Sequence, residues 1–275
     1  MRLRSTFTIG CLLFAVATCA YGFPVDMDFD GEVKATSEYL WRGEIINDDW
    51  CIQPRLTAEA QGFSLDVLGN WDLTSVTNAS ESTRMDVTLA YKHMWDNVVI
   101  GRGGVIAYIY KESLVAPWHK DTYEAFLGSD FLVFLLPTFR VYYDFGEIGG
   151  VYATAGLRHS FNLIPSEDNK ERKLRNWSWD LDLKADVGMA NKNYNEKVFD
   201  HGSLTANGAS VYEAKNSLVD FTGEASLPVT INKNIMVIPC VKYMTLIDSG
   251  IKDSQNSVGE KTDGVACSLT LGVSF

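Results

Sequence analysis

Apolar and polar residues alternate with period two along most of this chain. The last stretch shows it best. Val265, Cys267, Leu269, Leu271, Val273 and Phe275 fall on one face, and Ala266, Ser268, Thr270, Gly272 and Ser274 on the other. Successive strand side chains point to opposite faces, so this is a strand with one apolar side. The same pattern predicts strands at 32–43, 52–61, 63–73, 84–94, 98–110, 122–131, 138–145, 151–161, 177–189, 219–229, 235–247 and 265–275. In the first, Val33, Ala35, Tyr39 and Trp41 oppose Glu32, Lys34, Glu38 and Arg42. Within 98–110 the faces are ambiguous, and Gly101-Arg102-Gly103-Gly104 suggests a bulge. No apolar stripe at helical spacing is sustained.

The connections alternate in length. Those at 44–51, 74–83, 111–121, 190–212 and 248–263 are long; those at 61–62, 96–97, 133–137 and 232–234 are short. Two break the rule, a short one at 146–150 and a long, charged one at 162–176. A soluble sandwich has no reason to alternate this way. A barrel with external loops and internal turns does. The predicted class is therefore all-β: a transmembrane antiparallel up-and-down β-barrel of about 12 strands. Its apolar faces would meet lipid, and closure would pair every edge. Beyond the leader no apolar run approaches the ~18 residues of a spanning helix. Trp41, Trp50, Trp71, Trp95, Trp118, Trp177 and Trp179 fall near strand ends or in loops, as interfacial girdles require. Pro239 removes a ladder hydrogen bond and must sit at an irregularity or near the membrane boundary.

Residues 1–22 read as a cleaved secretory signal peptide. Arg2 and Arg4 precede an apolar core, and Ala20-Tyr21-Gly22 offers small residues for cleavage. Residues 23–275 form the barrel. Losing the two arginines takes the net charge from −11 to −13, which argues against nucleic acid as a partner. Cys51, Cys240 and Cys267 remain, an odd number that argues against a disulfide framework. The facing puts Cys240 inward and Cys267 outward.

Ser37-Glu-Tyr-Leu-Trp-Arg-Gly43 and Gly62-Phe-Ser-Leu-Asp-Val-Leu-Gly-Asn-Trp71 resemble segments of the TorF-like porin family of bacterial outer-membrane proteins. Asp121–Gly128, Pro137–Asp144 and Tyr152–Phe161 follow in that family's order. The terminal Phe275 is similar to the assembly signal of outer-membrane barrels. The resemblance implies an outer-membrane location, a pore, and recognition of the Phe275 strand by the barrel-assembly machinery. The charged stretch 167–175 and the extended loop 190–212 depart from the family pattern.

On the polar faces, Arg42, Arg55, Arg140, Arg158 and Lys242 oppose Glu38, Glu59, Glu124, Asp144 and Glu224. These ten are the expected pore-lining residues. Mixed charge facing water selects small polar or ionic solutes, and the acidic excess gives a mild preference for cations. The expected partners are outer-membrane lipid and small solutes, in a monomer or homo-oligomer. No cofactor is expected. Asp180, Asp182 and Asp186 share one face with Lys184, but oxygens roughly 7 Å apart along a strand diverge too far for a calcium site. Two alternatives stand beside the channel. A barrel lipid hydrolase needs a Ser–His pair; His159 and Ser160 point to opposite faces, and His201-Gly-Ser203 lies in a polar loop. A closed structural or adhesive barrel would act through its external loops.

Overall fold

The computed structural model describes residues 26–73, 82–110, 120–164, 178–200, 212–231 and 234–274. The leader, Trp118, Trp177, His119, His201, Ser203 and Phe275 lie outside them. Twelve wall strands close into an antiparallel barrel. They are β1 (Asp28–Thr36), β4 (Cys51–Ala60), β5 (Phe63–Asp72), β6 (Ser82–Trp95), β7 (Val99–Tyr110), β8 (Thr122–Phe131), β9 (Thr138–Asp144), β10 (Val151–Ile164), β11 (Ser178–Ala190), β12 (Ser217–Ser226), β14 (Ile235–Leu246) and β15 (Asp263–Ser274). Each pairs with its neighbours in chain order, and β15 returns to β1 with Val33 opposite Leu271. A two-residue strand, β13 (Val229–Thr230), continues β12 beyond a break at Leu227-Pro228. No helix among the described residues is long and apolar enough to cross a membrane.

Burial is inverted relative to a soluble domain. Every wall strand carries an exposed apolar residue: Val33, Leu56, Phe63, Leu89, Val105, Leu127, Val141, Leu157, Leu183, Leu218, Val241 and Leu269. The buried set includes Gln53, Asn70, Arg84, Glu124, Asp130, Asp144 and Asp220. Such a surface is stable only against hydrocarbon. Leu127 is 72% exposed at mid-strand. We expect Leu127→Arg to cost about 2–4 kcal/mol, the penalty for a cation near the bilayer midplane. Urea unfolding from vesicles measures it, and a cost near zero would place Leu127 off the lipid face.

The glycines expected to mark a bulge in β7 do something else. Its register with β6 and β8 is unbroken. Gly101 faces outward, where a Cβ would lie 2.3 Å from the Trp95 ring. Gly69 seats Trp71 in the same way near the opposite rim. Small residues let the indoles lie flat at the two interfaces. The register does shift at Gly188/Met189 against β12, and Val219 is turned inward there. Pro239 faces the Leu227-Pro228 break, where its carbonyl accepts the Leu227 N–H. Cys240 is half-buried toward the lumen and Cys267 is exposed on the outer face.

Both described chain ends lie at the rim with the short turns. At the rim with the long connections, the described residues are folded. Two helices, α1 (Lys192–Phe199) and α2 (Ser249–Ser257), sit there. Asn191 and Asp248 cap them by accepting N–H groups of Tyr194 and of Gly250 and Ile251. Tyr194, Phe199 and Ile251 pack with Tyr152, Val219 and Leu246 into a small apolar core. The Ser254 hydroxyl ties α2 to the Phe199 carbonyl at 2.7 Å.

The predicted first strand also departs from expectation. It leaves the wall after Thr36. Tyr39–Trp41 (β2) and Glu44–Asn47 (β3) form a separate two-stranded hairpin that turns into the barrel. Tyr39 and Trp41 therefore face the interior, and Trp41 belongs to no girdle.

Candidate functional site: a hairpin across the lumen

Arg42 and Gly43 form the hairpin turn, with φ of 50° and 85°. Positive φ at both central residues matches a tight primed turn, for which glycine is well suited. A Cβ on Gly43 would come within 2.9 Å of Leu246 and 3.2 Å of Val219. The tip thus rests on the small apolar core.

The hairpin is held from several sides. Arg42 forms a two-pronged ion pair with Glu124 on β8, at 2.7 and 2.9 Å. Its guanidinium lies 4.0 Å from the Tyr142 ring centroid and 4.8 Å from that of Tyr152. Burial works against its charge, but Tyr108 and Glu124 outweigh this and hold the group well above its ordinary value. On β6, Arg84 pairs with Asp86 and stacks on Trp41 at 4.1 Å and Tyr108 at 4.3 Å. Across the barrel, the Lys242 ammonium donates to the Leu40 carbonyl at 2.8 Å. Leu40 packs on Met244 and Ala266. The hairpin shares no backbone ladder with the wall. Side chains alone fix it.

This arrangement sorts the ten expected lining residues. Glu38 and Arg42 lie on the hairpin, not on the wall. Glu124 is consumed by Arg42 and the Tyr108 hydroxyl. Asp144 accepts N–H groups of Gly146, Ile148 and Gly149 and the Thr122 hydroxyl, so it orders the short 145–150 connection. Arg55, Glu59, Arg140, Arg158, Glu224 and Lys242 are on inward wall positions. Arg55 bonds Asp66 at 2.5 Å and Lys92 bonds Glu59. Arg102 and Arg140 share Asp130. Asp186 is paired with Lys184, and Asp180 accepts from Asn162.

Hydration changes along the inner wall. Near the turn rim, the side chains of Arg55, Lys92 and Arg102 are 48, 43 and 40% exposed. Near the loop rim, those of Arg84 and Glu124 are 1% exposed. The inner wall is wet below the hairpin and packed around it. Above, a cleft of about 460 Å³ lies between the hairpin and the loops, lined by Trp41, Glu44, Tyr110, Lys120, Glu147 and Glu260 among others.

Glu44 faces this cleft. Burial pushes its carboxyl up to about 7, Glu260 adds to the rise, and Arg84 and Arg42 oppose it. An acid raised in the folded state contributes stability that is fully present below its ordinary value and lost as pH rises through the folded one. Stability should therefore fall between about pH 4.5 and about pH 7. Glu44→Gln should flatten that fall in the urea midpoint; an identical slope in the variant would assign the titration elsewhere.

The sequence reading missed Arg84 as an anchor, with Tyr108, Tyr110, Tyr142 and Tyr152. Their signal was present: aromatic residues on the polar face, clustered toward the long connections. The described histidines stay on the outer wall, His93 against Trp95 and His159 against Phe134 and Phe161. Neither touches a serine hydroxyl.

A closed twelve-stranded barrel with a membrane belt and an internal hairpin defines the class of protein. No family profile matches the sequence, and no curated protein does. Among solved structures, LpxR from Salmonella typhimurium is similar at 8% identity and a TM-score of 0.52, covering 89% of this chain and 99% of its own. An outer membrane channel from Pseudomonas putida F1 is similar at 10% identity and 0.50, covering 92% and 97%. At these identities the likeness is one of fold.

Proposed function

We propose that this protein is a porin-like channel of an outer membrane, a relative of the TorF-like porins, that passes small polar or ionic solutes with a mild preference for cations. We read it as a passive channel and not an enzyme. The observation that carries this is the wet inner wall below the hairpin, lined by Arg55, Glu59, Lys92 and Arg102. A scaffold with a filled core has no use for charges kept in water, since buried pairs stabilise little. The hairpin then acts as the constriction, and Glu38 and Arg42 enter the pore from it rather than from the wall. Orientation follows from the rims: the short turns and both chain ends face the periplasm. Export through the leader and assembly through the Phe275 strand complete this reading.

The refolded protein in planar bilayers should give stepwise currents with cation permeability above anion permeability. Arg140→Glu should shift the reversal potential further toward cations; an unmoved potential would remove Arg140 from the path. The packed upper lumen favours a second reading, a closed scaffold acting through its loops. Absence of steps from both the unmodified protein and a variant lacking the Arg42 anchor would select it.

A further inference from the structure

A second cavity lies inside the barrel, immediately below the hairpin and away from the Arg42–Glu124 anchor. Its volume is about 330 Å³, within the range of small-molecule sites. Six charged side chains line it: Glu32 and Lys34 on β1, Asp182 on β11, Glu224 on β12, Lys242 on β14 and Glu38 on the hairpin. Thr36 and Ser268 add hydroxyls.

These charges do not consume one another. Glu224 and Lys242 occupy directly opposite register positions, yet the described residues hold no ion pair between them. Lys242 spends one donor on the Leu40 carbonyl, and an ammonium has three. Lys34 has no hydrogen-bond or ion-pair partner among the described residues. Oε2 of Glu38 is buried without a hydrogen-bond partner, while Oε1 meets Lys261 at 3.4 Å. Elsewhere on the inner wall Arg55, Arg102, Arg140 and Lys184 close into ion pairs at 2.5–3.0 Å. Half-buried charges left open in one cavity are costly unless something else completes them.

We propose that this cavity binds small zwitterions, molecules carrying both an ammonium and a carboxylate. The carboxylate would meet Lys34 and Lys242, and the ammonium would meet Glu224 and Glu38. A simple cation entering the cavity encounters two lysines, and a simple anion encounters four carboxylates. Only a solute bearing both charges gains from both sets without meeting an unmatched repulsion. The proposal rests on the channel reading for its meaning, since the cavity lies where a solute passing the hairpin must enter.

Isothermal titration of the refolded full-length protein in detergent at pH 7 tests it. The probes are γ-aminobutyrate, butyrate and butylammonium. The zwitterion should bind at least about tenfold more tightly than either singly charged analogue, the worth of one charge-assisted hydrogen bond. Lys34→Met should weaken γ-aminobutyrate about tenfold and leave butylammonium no weaker; Glu224→Gln should weaken it similarly and leave butyrate no weaker. Equal affinity for all three probes overturns the proposal, and that comparison needs no variant. So does unchanged zwitterion binding in both variants. Bilayer recordings on the same preparation separate the two readings. Selective binding without current supports the site and overturns the channel; current without selective binding does the reverse.

Discussion

Replacing Arg42 with alanine is expected to raise single-channel conductance severalfold and to destabilise the barrel by about 3–5 kcal/mol, the usual cost of stranding one member of a buried ion pair. Glu124 would keep only the Tyr108 hydroxyl at 2.7 Å, in a site where its own side chain is 1% exposed. The hairpin would lose its fork onto β8 and its stack on Tyr142. The two effects can be separated. Arg42→Met with Glu124→Gln removes both charges, so much of the stability should return. The tether would still be missing, so conductance should stay high. A stable double variant with unaltered conductance would show that the hairpin does not constrict the path.

Arg84→Ala should be comparably severe, again about 3–5 kcal/mol. The guanidinium bonds Asp86 at 2.6 and 2.9 Å and lies among the rings of Tyr39, Trp41, Tyr108 and Tyr110. Truncation empties that space and leaves Asp86 uncompensated. Arg84→Lys should recover only part of the loss, because an ammonium neither forks nor stacks flat. Arg42 also stacks on Trp41, at 4.6 Å. The double alanine variant should therefore cost less than the sum of the singles. Urea midpoints in vesicles measure all three; strict additivity would mean that the guanidiniums support the hairpin independently.

The wall was legible in the sequence because each strand separates two solvents. Leu183 and Lys184 sit one residue apart, and hydrocarbon and water leave them no alternative facing. The hairpin was hidden by the same rule. Tyr39 and Trp41 continue the alternation of Val33 and Ala35, but the chain has turned inward and the apolar face now meets Arg84 and Tyr108. Period two reports which residues share a side, not what lies on that side. The usable clue was Arg42-Gly43, a primed turn between two short runs, Tyr39-Leu40-Trp41 and Glu44-Ile45-Ile46-Asn47. The helices escaped for a different reason. With eight and nine residues, they are too short to repeat a stripe, and only their caps, Asn191 and Asp248, announce them. Asp144 looked like a pore residue because it is an inward carboxylate. Its role is set by the N–H groups of the 145–150 connection, which no periodicity reveals.

The hairpin's anchors are far apart along the chain. Leu40 is held by a side chain 202 positions later, and Arg42 by one 82 positions later. Such remote contacts are slow to form. Arg42 can pair once β8 is in place, whereas Leu40 must wait until nearly all the later strands have been threaded. Sealing of the β1–β15 seam and the final seating of the hairpin become one late event, preceded by open-seamed precursors in which β6 and β8 alone hold the hairpin.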